Sequence, residues 1–147
     1  MKNLEFKILD NKHLSVEELV WPIKRIDAVY ISQSQEGADD EYAIFIKNGH
    51  QVVELYYRTK DEMSILLEFK KLVKALMAES KGFDYADKVC VINYNNVKEI
   101  NYDKGILHSK IVVDFKNGKM VRKGLNKSVY NQMQNRLMAS NNSLIKF

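Results

Sequence analysis

Between Glu41 and Ala78 the order of apolar and polar residues reads strand, turn, strand, helix. Tyr42 to Ile46 and Val52 to Tyr57 flank Asn48-Gly49, a pair that favours a type I′ turn because both residues accept positive φ. A two-residue turn there puts Tyr42, Ile44, Ile46, Val53, Leu55 and Tyr57 on one face of the hairpin. Ala43, Phe45, Val52 and Tyr56 leave the opposite face half apolar, among Glu41, Lys47 and Glu54. A hairpin of that kind is covered on both sides. Thr59-x-x-Glu62 matches a capping box and opens a helix running to about Ser80. Its stripe of Ile65, Leu66, Phe69, Leu72, Val73, Leu76 and Met77, at three- and four-residue spacing, supplies one cover. A second unit or another subunit supplies the other, which makes Phe45, Val52 and Tyr56 the candidate self-association or partner surface.

Much the same order returns near the C-terminus, down to a shared Lys-Asn-Gly at 47–49 and 116–118. His108 to Lys116 and Lys119 to Leu125 form a second hairpin around Asn117-Gly118. A two-residue turn mixes charges onto both faces, whereas a three-residue loop with a bulge, preferred on pattern, gathers Ile111, Val113, Phe115, Val121 and Leu125 on one face and sets Asp114 opposite Arg122. Asn126 caps a last helix with Val129, Met133 and Leu137 inward, and a polar, frayed tail follows Ser140.

Upstream, Leu4 to Leu9 and Ile23 to Ser32 read as strands. Between them Ser15 and Glu18 suggest a capping box for a short helical turn that Pro22 ends, and Gln33 to Asp40 is a loop. Phe83 to Lys88 reads as a connection, with strands at Val89–Tyr94 and Val97–Tyr102, and Val-Lys-Glu-Ile-Asn at 97–101 echoes Ile-Lys-Arg-Ile-Asp at 23–27. The expected fold class is α+β: two related strand-rich units, each of about four antiparallel strands plus one helix, packed as one domain over residues 1–147. The units span about 1–82 and 83–147. This duplicated order resembles the topology of the PUR and Whirly single-strand-binding proteins, a likeness of element order that carries over no site residues. A pleckstrin-homology-like arrangement, several strands closed by one helix, suits the first unit nearly as well.

Composition narrows the classes. At 147 residues the chain can bury a core, and 46% hydrophobic with 29% charged residues argues against extensive disorder. No apolar run approaches the roughly 20 residues of a span, and the N-terminus lacks the pattern of a signal peptide. No membrane partner is therefore expected, and the single Cys90 suits a reducing cytoplasm. His13, His50 and His108 stand singly, the glycines form no phosphate-binding loop, and Cys90 lies mid-strand between valines. The acids Asp39-Asp40-Glu41 fall in a loop, where solvation accounts for them. The expectation is a non-enzyme with no metal and no cofactor.

Charge is uneven. Residues 1–82 carry 12 Lys+Arg against 14 Asp+Glu, a net of −2, whereas residues 83–147 carry 11 against 5, a net of +6. An anionic partner follows naturally. The leading expectation is a non-catalytic protein contacting single-stranded or otherwise exposed nucleic acid through the basic second unit. Lys110, Lys116, Lys119, Arg122, Lys123 and Lys127 would meet phosphates, and Tyr94 and Tyr102, with Phe115, would stack on bases. Charge reversal at Lys119 and Arg122 should then abolish binding. The alternative is a phage or mobile-element-type protein that inhibits a host protein or sequesters a nucleotide ligand. In either case a homo-oligomer is expected.

Overall fold

Ala28 and Tyr30 alternate with Val29 and Ile31 along one strand, and each pair enters a different hydrophobic core. That strand, β4 (Ala28–Gln33), is the middle of a five-stranded antiparallel sheet covered on both faces. The computed structural model describes residues 4–34 and 40–145, without the side chains of Tyr56 and of residues 142–145. Before β4 come β1 (Phe6–Leu9), β2 (His13–Val16), β3 (Leu19–Pro22) and a 3₁₀ turn (Ile23–Arg25). After it come β5 (Tyr42–Asn48), β6 (Gln51–Thr59) and helix α1 (Glu62–Glu79). The rest comprises β7 (Phe83–Asp87), β8 (Cys90–Asn93), a second 3₁₀ turn (Tyr94–Asn96), β9 (Val97–Lys104), β10 (Ser109–Phe115), β11 (Gly118–Lys123) and α2 (Lys127–Ile145).

The protein is thus mixed α+β, with strand-rich sheets and two helices among the described residues. The central sheet has the order β6-β5-β4-β8-β7, and β1-β2-β3 and β11-β10-β9 form two three-stranded sheets. Pairing of β4 with β8, through Ala28↔Ile92, Val29↔Val91 and Tyr30↔Cys90, joins strands from either side of residue 82. One face of the central sheet packs Val29, Ile44, Ile46, Leu55 and Val91 with Phe69 and Leu72 of α1 and with Leu14 and Trp21 of the N-terminal sheet. The other face packs Ala28, Cys90 and Ile92 with Ile111 and Val113 of β10 and Met133 and Leu137 of α2. Two-sided burial explains why Ala28–Ile31 of β4 and all of β8 carry no exposed residue. Cys90 is fully buried, and that burial pushes its thiol up to about 12.

Several local expectations are corrected. Glu17 and Glu18 connect a β2–β3 hairpin, not a helical turn, because Leu14 and Val16 alternate with Ser15 at a strand period and both are buried. Ile23–Arg25 is a 3₁₀ turn, so the strand starts at Ala28; Ile26 and Val97 each cap such a turn, which puts the echo of 23–27 in 97–101 three residues out of step. Phe83–Asp87 is an edge strand paired with β8, so that among the described residues five strands follow α1, and the β2–β3 hairpin makes six before it. Asp61, not Thr59, caps α1 by accepting from the Met63 N–H at 3.1 Å, while Thr59 ends β6. Asn126 does cap α2, through the Val129 N–H at 3.0 Å, but the helix continues past Ser140 to Ile145. Of the expected loop Gln33–Asp40, residues 35–39 lie outside the described residues.

Both hairpins turn where the Lys-Asn-Gly triplets sit, in a register other than expected. Asn48 pairs with Gln51, so the first turn is Gly49-His50, and only Gly49 takes positive φ, at 61°. Because the slip is two residues, the faces are preserved and the expected inner set stays inside. In the second hairpin Phe115 pairs with Gly118 across a two-residue turn, Lys116-Asn117. The bulged register is therefore wrong: Asp114 faces Lys119, Arg122 faces Ile111, and Val121 points outward.

Candidate anion-binding cleft

The two Lys-Asn-Gly turns meet. A Cβ placed on Gly118 would lie 2.7 Å from the Gly49 carbonyl oxygen, and one on Gly49 would lie 3.3 Å from the Asn117 carbonyl oxygen. Such an approach of backbone to backbone is available only to residues without side chains. Asp27, just ahead of β4 and buried, ties the junction together. Its Oδ2 accepts from the Gly49 N–H at 2.8 Å and its Oδ1 from Asn96 Nδ2 at 3.0 Å. Its backbone N–H donates to the Lys47 carbonyl and its carbonyl accepts from Asn93, both at 2.8 Å. Lys47 is also buried and donates its ammonium to the Gly49 carbonyl oxygen. Burial lowers the Lys47 pKa, and the nearby Asp27 charge partly offsets that.

Above this junction lies a cleft of about 340 Å³ bordered by Lys24, Arg25, Lys116, Asn48 and Asn117. Its carboxylate, Asp27, is already occupied by the two donors just named. A second cleft, of about 540 Å³, lies on the far side of the first 3₁₀ turn and is bordered by Lys12, His13, Lys24, Arg25 and Glu79. That turn explains the shared pair: Ile23 is buried and held by its N–H on the Lys12 carbonyl at 2.8 Å, which leaves Lys24 and Arg25 projecting into solvent. None of Lys12, Lys24, Arg25 and Lys116 makes an ion pair among the described residues. Cations and amide side chains around polar clefts are suited to holding oxyanions. No group of three or more His, Cys, Asp or Glu placed to hold a metal occurs among the described residues.

The residues nominated from sequence do not form one surface. Lys110, Lys119 and Lys123 share the outer face of the β9–β11 sheet, but register sets them among Asp103, Asp114 and Glu99, so that face is neutral. Lys110 lies 3.7 Å from Asp103. Arg122 points inward and grips Asp87 with Nε and NH2 at 2.9 to 3.2 Å. Lys127 starts α2, and Lys116 alone reaches the cleft. Tyr94 is 2% exposed with its hydroxyl directed at the Tyr85 carbonyl oxygen, and Phe115 is buried too. Tyr102 packs on Tyr130 with ring centres 5.7 Å apart. The proposed stacking platform therefore loses its rings: Phe115 takes an inward, odd-numbered position of β10, Tyr94 is buried in the second 3₁₀ turn, and Tyr102 packs against α2. Phe45 is likewise buried, stacked on Tyr30 at 5.4 Å, and of the suggested partner surface only Val52 is exposed, the Tyr56 side chain lying outside the described residues.

Sequence reasoning missed Lys12, Lys24 and Arg25, since they belong to the half with net negative charge. A charge tally by segment cannot register that the fold brings the Lys24-Arg25 turn beside the second hairpin. Among the described residues no helix is long and apolar enough to cross a membrane. No family model, curated protein or solved structure matches this chain.

Proposed function

We propose that this is a non-catalytic binding protein that contacts the phosphates of exposed nucleic acid, and that Lys12, Lys24, Arg25 and Lys116 form the contact. One observation carries the reading: four exposed cations without ion pairs line two adjoining clefts that share Lys24 and Arg25. Neutralising phosphates by such a track releases counterions, so affinity falls with salt by a slope of roughly −0.7 per contact on a single strand. Four contacts give a slope of about −3. The same reading takes the chain as two related units. Hairpin, 3₁₀ turn, three strands and a helix run from His13 to Glu79 and again from Phe83 to Ile145, with the Lys-Asn-Gly turns at matching places.

The test is fluorescence anisotropy with a labelled single-stranded oligonucleotide over a salt series. Lys24→Glu/Arg25→Glu should weaken binding and flatten the salt slope by about two contacts' worth, and Lys119→Glu/Lys123→Glu should do so far less. Wild-type protein that shows no binding at low salt, or a Lys24/Arg25 reversal that leaves affinity untouched, refutes the proposal.

A further inference from the structure

The loop joining β9 to β10 carries two aliphatic side chains with no protein cover: Ile106 is 103% exposed and Leu107 86%. The loop is short and tight, for a Cβ on Gly105 would lie 2.5 Å from the His108 carbonyl oxygen. Lysines ring its base. Lys104 pairs with Ser109, Lys110 pairs with Lys123, and the Ser109 hydroxyl donates to the Leu125 carbonyl at 2.7 Å, which brings the start of α2 and Lys127 to the same end. Asp103, opposite Lys110 and 3.7 Å from its ammonium in an exposed pair, is the acid at this end, and no acidic residue follows Asp114 in the sequence.

We infer that this tip docks on an anionic phospholipid surface, Ile106 and Leu107 entering the boundary between headgroups and acyl chains while the lysine collar meets the lipid charge. Docking of this kind needs no membrane-spanning segment. A convex tip of two side chains is too small for the core of a stable protein interface, which takes roughly 800 Å² from each partner. It also has no Phe, Tyr or Trp free to stack on a base, Tyr102 being packed on Tyr130, and the exposed ring beside Leu107 is the small imidazole of His108. In a bilayer interface, by contrast, each aliphatic side chain leaves water, and each lysine near the surface contributes roughly fivefold in binding.

The experiment is co-sedimentation of the full chain with vesicles of phosphatidylcholine alone and of phosphatidylcholine with phosphatidylserine. Wild-type protein should bind the second and not the first, and added salt should reverse it. Ile106→Ser/Leu107→Ser should lower vesicle binding about tenfold or more while leaving the thermal midpoint unchanged, since neither side chain is packed. Lys110→Gln/Lys123→Gln, which keeps the apolar tip, should lose roughly the contribution of two lysines. Absence of binding to the phosphatidylserine vesicles overturns the inference, as does unchanged binding by the Ser variant. If that variant instead loses oligonucleotide affinity, the tip belongs to a nucleic-acid contact and the lipid assignment is wrong.

Discussion

Arg122 is the residue for which structure and sequence give opposite expectations, and its reversal separates them. On sequence alone, Arg122 is an exposed phosphate contact, and its reversal together with that of Lys119 should abolish nucleic-acid binding. In the structure its guanidinium holds both oxygens of Asp87, and the two side chains are only 22% and 15% exposed. Asp87 Oδ1 also accepts from the Val89 N–H at 2.9 Å, so the pair anchors the turn between β7 and β8. Arg122→Glu places a second carboxylate against Asp87 in a site mostly closed to water. Removing one partner of a fully buried pair costs about 3–5 kcal/mol and of an exposed pair at most about 1, so this intermediate site should lose about 2–3 kcal/mol. For a chain of this length about 2–4 °C follows each kcal/mol, which puts the fall in melting temperature at roughly 4–12 °C. Circular dichroism melts of Arg122→Glu, Arg122→Ala, Asp87→Ala and the double alanine variant provide the measurement. The two alanine changes should be non-additive, because the second removes a group whose partner is already gone. Lys119→Glu is the control, being exposed opposite Asp114, and should stay within about 0.5 kcal/mol of wild type. An Arg122→Glu protein that melts with the wild type, or additive alanine effects, would refute the reasoning.

Two further outcomes follow from local geometry. Gly118→Ala drives a methyl group into the Gly49 backbone and should cost about 1–3 kcal/mol, more than Gly124→Ala, where φ is 78° but nothing lies within 4 Å; thermal melts in which Gly124→Ala is the weaker protein would contradict the turn-to-turn contact. Hydrogen bonds from the Ser64 hydroxyl at 2.7 Å and from the Met63 N–H hold the Asp61 carboxyl below its usual pKa. Its contribution to stability is therefore complete above the unfolded value of about 3.9 and is lost as pH falls through the lower folded value. The gap in melting temperature between wild type and Asp61→Ala should be constant from neutral pH down to that range and then narrow; a gap unaltered in acid would argue against the cap.

How much of this was legible beforehand differs element by element. The period of Ile65, Phe69, Leu72 and Leu76 places α1 without tertiary information, and the fully apolar every-second-residue set in Tyr42–Ile46 and Val53–Tyr57 assigns the inner face of the first hairpin even with its turn misplaced by one residue. Misreading of Ser15-Val16-Glu17-Glu18 has a physical source: a capping-box match and a strand–turn–strand can share the same four residues, and burial of Leu14 and Val16 decides between them. In the second hairpin the register rested on apolar count, which favoured putting Val121 inside. Contact between Gly118 and Gly49 and the Arg122–Asp87 pair select the other register, and both partners lie in segments remote along the chain.

The sequence by itself determined the α+β character, the positions of both helices, the double burial demanded by the first hairpin and the burial of Cys90. Each follows from side-chain period and polarity, which act over a few residues. Only the tertiary structure decided which strands join across residue 82, which cations are spent on internal carboxylates and which stand free. Those outcomes depend on contacts between distant segments: Asp87 lies 35 positions before Arg122 and takes its charge out of reach, while Lys24 and Arg25, in an acidic half, meet Lys116 across a cleft. Net charge along a chain is additive, but the field at a surface depends on where folding leaves each charge and its nearest opposite.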